Sequence, residues 1–266
     1  MKESPSLWRI EEVLTGLVGV LVLAAAGTGV FVPGFYQGIV DPQFLTGTVT
    51  ADLVSLICLP VLVMCMIWTR RSSPAAQLGW MSLLVYFGYV YANNAFDRVY
   101  TVLFPLYMII FGLSCFTMVA IISRLDILQL AESLKGMRLR RVTAVYLVFT
   151  GLVLYLIELP IILARIPAGA LEGGTPFMVL DMSLLAPIAI LTGVWLWQCR
   201  PWGAALAGIF LIKSITLVTS FLLADYIDWA AGRLADYVPT LVFTGVDLLA
   251  CFFVWNYFSA FEKRKA

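Results

Sequence analysis

The chain has 266 residues, 62% of them hydrophobic and only 12% charged, with a mean hydropathy of +0.96 and a net charge of +1. A soluble domain carries about 25% charged residues. Half that figure cannot coat a water-facing surface, which excludes soluble, disordered and nucleic-acid-binding classes. There is no histidine, which removes imidazole general bases, Ser-His-Asp and Cys-His nucleophile systems, His-ligated haem and imidazole-dependent zinc or iron sites.

A membrane-crossing helix needs about 20 mainly apolar residues to cover roughly 30 Å of hydrocarbon. Eight runs qualify, and they are continuous rather than alternating, as helices require and barrel strands do not. The first, Val13 to Val32, follows Glu11 and Glu12. Its Ala24-Ala25-Ala26 resembles a signal cleavage region, but a signal core is about 7–15 residues with a basic flank, so a retained span is expected. Gly16, Gly19, Gly27 and Gly29 read as helix-packing contacts. The second run, Ala51 to Trp68, opens at Asp52 and contains Pro60. Its Cys58 and Cys65 share a face, and sulfur ligands suit monovalent copper. Met64 and Met66 cannot join Cys65 on that face, so ordinary packing is the better reading.

The third run, Leu78 to Ala92, ends in polar Asn93 and Asn94. Tyr86, Tyr89, Tyr91 and Tyr100 read as an outer aromatic belt. After the fourth run, Thr101 to Ile122, the segment Ser123 to Arg141 joins halves 1–122 and 142–260. It mixes five basic residues with Leu125, Leu128, Leu130, Leu134 and Met137. Such a segment is either a short amphipathic helix on the inner leaflet or a solvated basic loop.

The fifth run, Val142 to Ala164, contains Glu158 and Pro160, and the sixth, Phe177 to Trp197, contains Asp181 and Pro187. Each proline frees a backbone carbonyl that can hold a cation or a substrate. The seventh, Gly203 to Ala224, places Thr216 and Ser220 three and seven residues after Lys213, flanked by Ser214 and Thr219, as a polar stripe facing the bundle. Asp225 to Tyr237 reads as an interfacial segment. The eighth, Val238 to Ala260, carries Asp247. A lysine in the seventh span invites comparison with retinal proteins, but its surroundings do not resemble theirs and an ion pair is preferred. No Gly-rich phosphate loop is present, and Cys115, Cys199 and Cys251 form neither a metal spacing nor a disulfide pattern.

With the N-terminus cytoplasmic, the inner side receives Lys2, Arg9, Arg70, Arg71, Arg124, Lys135, Arg138, Arg140, Arg141, Arg200, Lys263, Arg264 and Lys265. The outer side receives only Arg98, Arg165 and Arg233, and Lys213 stays within the membrane. This is the bias of the positive-inside rule. Trp8, Trp68, Trp80, Trp195, Trp197, Trp202 and Trp255 fall near inner helix ends, where an indole favours the interface. Only Trp229 falls outside. The expectation is an all-α polytopic membrane helix bundle of eight transmembrane helices. It forms a single integral domain of the cell membrane, both termini cytoplasmic.

Asp52, Pro60, Trp68 and Arg70 find counterparts in Asp181, Pro187, Trp197 and Arg200, and Leu78-Gly79-Trp80 in Pro201-Trp202-Gly203. This layout points to a 4+4 parallel repeat, a pattern known among transporters. The stretch Asp52-Leu53-Val54-Ser55-Leu56 with Pro60 and Arg70-Arg71 resembles a group of bacterial and archaeal multi-pass membrane proteins without an established activity. So do Leu78-Gly79-Trp80 with Gly88-Tyr89-Val90-Tyr91, and Trp202-Gly203 with Leu211-Ile212-Lys213. The resemblance runs through most of the chain as scattered motifs and implies the membrane-helix fold without a mechanism. Asn93 and Asn94 stand where the group would carry aromatic or small residues.

Four ionisable side chains fall within runs: Glu158, Asp181, Lys213 and Asp247. Each costs about 2.5–3.5 kcal/mol at a helix centre, so they must be paired, neutralised or wetted. At a rise of about 1.5 Å per residue, Asp181 and Glu158 lie roughly 6 and 9 Å below the outer surface, and Asp247 and Lys213 roughly 14 and 16 Å. Asp52, Asn93, Asn94, Asp97, Arg98 and Arg165 stand near the mouth. The sequence therefore suggests a transporter-like, non-enzymatic protein with an outward-facing polar pocket for a small polar or cationic solute or protons. Glu158, Asp181, Lys213, Asp247, Asp52, Asn93, Asn94 and Arg98 would form that site, with no cofactor and no metal. One alternative is an accessory or scaffold subunit of a membrane complex whose buried charges are structural. A third is a lipid-modifying membrane enzyme using Glu158 or Asp181 as acid and base.

Overall fold

In lipid, a backbone amide has only its own helix to bond to, and each of the eight apolar runs corresponds to a helical rod, with ends that differ by up to nine residues. The computed structural model describes residues 9–132, 134, 139–166, 175–233 and 237–261. Lys2, Trp8, Lys135, Met137, Arg138, Leu234, Lys263, Arg264 and Lys265 lie outside the described residues. The helices are α1 (Ile10–Phe31), α2 (Pro42–Arg70), α3 (Pro74–Phe96), α4 (Phe104–Ile122) and the short α5 (Ile127–Glu132). They continue with α6 (Arg140–Arg165), α7 (Thr175–Leu180), α8 (Ala186–Trp197), α9 (Pro201–Ala230) and α10 (Val238–Ser259). A wide π-helical turn, Asp181–Leu185, fuses α7 and α8 into one rod. No strand occurs among the described residues.

Six of these rods are long and apolar enough to cross a membrane: α1, α2, α4, α6, the α7–α8 rod and α9. α3 is not among them, and the last apolar helix, Phe243–Ser259, is shorter. α3 differs for a physical reason. It packs against α2, α4, α7 and α9 and buries residues along its whole length, from Ala76 to Asn94. A helix wrapped by other helices does not need the apolarity that lipid demands, so it can carry Gln77, Trp80, three tyrosines and two asparagines.

α1 to α4 form a closed ring: each packs on the next, and α4 returns to α1. In the second half α6 packs on α8, α8 on α9 and α9 on α10. Tyr146 of α6 stacks on Phe253 of α10 with ring centroids 4.5 Å apart. α9 also lies against α2 and α3, which joins the halves. α5 tucks under α9 with Leu130 and Leu134 buried and Leu128 exposed. The apolar residues of this connection thus serve the bundle more than a leaflet.

The acids ahead of the first run have partners at one end of the ring. Arg70 grips Glu12 through Nε and Nη2, at 2.8 and 2.7 Å, and Arg124 Nη1 lies 3.3 Å from Glu11. Trp80, expected at an interface, is instead buried and donates its indole N–H to Thr15 Oγ1 at 3.0 Å. Among the α1 glycines, Gly16 and Gly27 face open space, and Gly29 is the one in close approach.

α6 and α8 meet through two glycines. A Cβ on Gly151 would stand 2.7 Å from the Ala186 carbonyl oxygen, and one on Gly193 would stand 2.6 Å from that of Ala144. Small residues that let backbones touch drive helix association in lipid. Gly151→Ala or Gly193→Ala is therefore expected to cost about 1–3 kcal/mol, the usual range for overpacking. Thermal unfolding followed by circular dichroism in detergent checks this.

Candidate functional site

Three of the four charges expected inside spans meet, although they come from three rods. Glu158 projects from α6, Asp181 opens the π turn, and Lys213 lies in α9. All three are buried, Lys213 with only 2% of its surface exposed. The Glu158 and Asp181 carboxyl groups adjoin closely enough to act on each other as hydrogen-bond partners, and both act electrostatically on Lys213. The fourth member is Tyr89 of α3. Its hydroxyl donates to Asp181 Oδ1 at 2.7 Å, and Lys213 Nζ sits 3.8 Å from its ring centroid. An ammonium over a tyrosine face is a favourable cation–π contact, stronger when desolvated. The same phenol thus offers its face to the cation and its proton to the anion.

The backbone at Asp181 has its own logic. The amide of Ala186 bonds back to the Asp181 carbonyl, five residues earlier. In that register the amide of residue 187 would serve the carbonyl of Met182, but Pro187 has no N–H to give. The Tyr155 hydroxyl from α6 takes that carbonyl at 2.7 Å. A proline-freed carbonyl does exist, as the sequence implied, and a neighbouring helix caps it. π turns of this kind recur at functional positions.

A recess of about 80 Å³ touches this cluster at Tyr89. Its walls include Phe44 and Thr48 of α2, Tyr89, Asn93 and Asn94 of α3, Asp97, Phe177 of α7, and Ser220 of α9. A water needs roughly 10–15 Å³ by this kind of measure and two or more polar partners, so several waters fit. The Asn93 Oδ1 atom is buried without a hydrogen-bond partner among the described residues, and so is Glu158 Oε2. Both orphaned atoms are acceptors. They call for a donor, such as a proton, an ammonium or a hydrated cation.

The other expected site residues lie elsewhere. Asp52 is fully buried on the far side of α3, where the hydroxyls of Tyr36 and Tyr91 donate to it at 2.6 and 3.3 Å. Tyr107 lies 3.4 Å from the Tyr36 hydroxyl and 3.1 Å from Thr101 Oγ1, which completes a buried polar knot. Burial, and then the Asp52 carboxylate, push the Tyr36 phenol well above its usual range, so it stays a donor. Asp247 of α10 is half-buried, 3.4 Å from Thr219 Oγ1. Thr219 is six residues beyond Lys213, roughly 9 Å along α9 and about 120° around it, so Asp247 and Lys213 face different directions. Arg98 is exposed, in a left-handed turn with φ 56°. On the stripe after Lys213, Thr216 bonds back to Ile212 and Lys213 carbonyls, while Ser220 lines the recess.

The tyrosines are the residues that sequence reasoning misplaced. Tyr86 and Tyr91 are fully buried, Tyr89 bonds Asp181, and only Tyr100 stands in the exposed position of a belt, at 64%. For Tyr86 the readable signal was its mid-run position, where a belt would need it at the end; Tyr89 and Tyr91 lie near the outer end of the run, and only packing told them from a belt.

Compared with known proteins, the chain matches no family model, no curated protein and no solved structure.

Proposed function

We propose that this chain is a transporter-like, non-enzymatic protein of the cell membrane. In this reading it crosses the bilayer eight times, with both termini cytoplasmic, and binds protons or a small cationic solute at Glu158, Asp181 and Lys213. The observation that carries the reading is the pair of carboxyl groups from α6 and the π turn beside one buried ammonium, with Tyr89 linking them to a small recess. Two carboxylates at hydrogen-bond range cannot both keep their charge cheaply. If they share one proton, the remaining negative charge balances Lys213, and the cluster is neutral. Loss of that proton leaves a net negative site that a cation can fill. Exchange of a proton for a cation is the chemistry such a set performs. The orphaned acceptors Asn93 Oδ1 and Glu158 Oε2 favour a donor ligand for the same reason.

Asn93 and Asn94 would line the entrance. Asp52, Asp247 and Arg98 would stand outside the exchange. Asp52, buried and satisfied by two phenols, supports a structural part for that acid alone.

Proton flux tests the reading. Protein reconstituted in liposomes holding a pH-sensitive dye, under an imposed potassium diffusion potential, is expected to pass protons faster than protein-free liposomes. Asp181→Asn, Glu158→Gln and Lys213→Met should each reduce flux to the protein-free level, whereas Asp247→Asn should not. A wild-type flux no different from empty liposomes, or unchanged flux in all three variants, would remove the proposal.

A further inference from the structure

A second cavity lies along the N-terminal half of α6 and the C-terminal end of α8, and neither Glu158 nor Asp181 lines it. It is an open groove of about 390 Å³ between α6 and α8, within the range of roughly 300–1,000 Å³ typical of ligand sites. Its floor is apolar: Ala144, Val148 and Leu152 face Gly193 and Val194, and Trp197 and Gln198 close the polar end. Gly193 is what lets the two helices touch beneath it.

Two arginines stand at that end. Arg141 lies over the Trp197 ring, 5.5 Å from its centroid. Arg140 precedes Ala144 by one helical turn, which puts it on the groove face of α6. Its Nε–H is buried and has no hydrogen-bond partner among the described residues. A guanidinium presents its donors as a fork that matches a phosphate, and an unmet buried donor leaves that match open. Apolar floor, basic lip and indole at the boundary together have the layout of a phospholipid, with tail, headgroup and interface in order. Basic pockets between transmembrane helices on the cytoplasmic side bind anionic headgroups in this way.

We propose that the α6–α8 groove binds one anionic phospholipid, with an acyl chain along Val148 and Leu152 and its phosphate on Arg140 and Arg141. The proposal does not depend on proton or cation exchange at Asp181, so either can fail alone.

The test uses the full chain in bilayers of equal phosphatidylglycerol and phosphatidylcholine, extracted gently and weighed by native mass spectrometry. Two arginines near a lipid surface favour the anionic lipid by roughly 30-fold, and that excess is the expected retention ratio. Arg140→Gln with Arg141→Gln should bring the ratio close to one. Val145→Trp, which fills the groove from its wall, should lower retention of both lipids, so this arm remains decisive if the arginine variant does not fold. Added inorganic phosphate should not displace the lipid. Equal retention of the two lipids by the wild type would overturn the proposal, as would a preference that survives in the folded arginine variant or a filled groove that retains lipid unchanged.

Discussion

Lys213→Met is expected to destabilise the folded protein by about 3 kcal/mol, the lower end of what breaking a buried charge pair costs. The loss comes from what remains: Glu158 and Asp181 lose the cation on which both act, and the Tyr89 ring loses the ammonium that rests on it. Combining Lys213→Met with Asp181→Asn should recover much of that loss, because the one proton that the two acids shared can stay on Glu158 and leave the double variant without an unbalanced buried charge. The coupling energy in this cycle is expected at about 1–3 kcal/mol, as for residues in one network. The pairing of Lys213→Met with Asp247→Asn gives the contrast. Asp247 meets Thr219 instead, so those two changes should add within about 0.5 kcal/mol. Reversible unfolding in mixed detergent measures both cycles. Coupling of Lys213 to Asp247 and not to Asp181 would contradict the site as described.

Gly29→Ala should cost about 3 kcal/mol or more, while Gly27→Ala, two residues away, should be neutral or stabilising. A Cβ at Gly29 would fall 1.9 Å from Asp52 Oδ2 and 2.8 Å from the Tyr36 hydroxyl. One methyl therefore has to push the carboxylate off its 2.6 Å hydrogen bond. Overpacking costs about 1–3 kcal/mol, and a buried acceptor or donor left without its partner costs about 1–3 kcal/mol more. Gly27 has nothing within 4 Å of a new Cβ, so alanine there gains helix propensity of about 0.8–1 kcal/mol. The same unfolding experiment reads both variants. Equal effects at the two positions would mean that Asp52 is not held against α1.

The apolar runs were legible because hydrocarbon permits only one way to satisfy a backbone, and each run became a rod. α3 exposed the limit of that rule. Hydropathy reports what a helix faces only when it faces lipid, and α3 faces other helices, so its polar content carried no warning of its central place. The convergence of Glu158, Asp181 and Lys213 was legible in part, from depth along each span. Depth fixes one coordinate. Rotation about each helix axis and the order of helices in the bundle are set by packing, and these turned Asp247 towards Thr219 and put Asp52 behind α3. The tyrosines were misplaced for the same reason, since a phenol at a given depth can serve an interface or a buried carboxylate.

By itself, the sequence determined the solvent of this protein, the order and approximate place of its helical rods and the presence of charges that need partners, because composition and periodicity act locally along the chain. Only the tertiary structure decided which acid meets the lysine, that Tyr89 joins cation and anion, that Pro187 opens a π turn for Tyr155 to cap, and that Gly29 leaves room for Asp52. Those outcomes depend on side chains distant in sequence approaching within hydrogen-bond range, and that approach is fixed by close packing between helices.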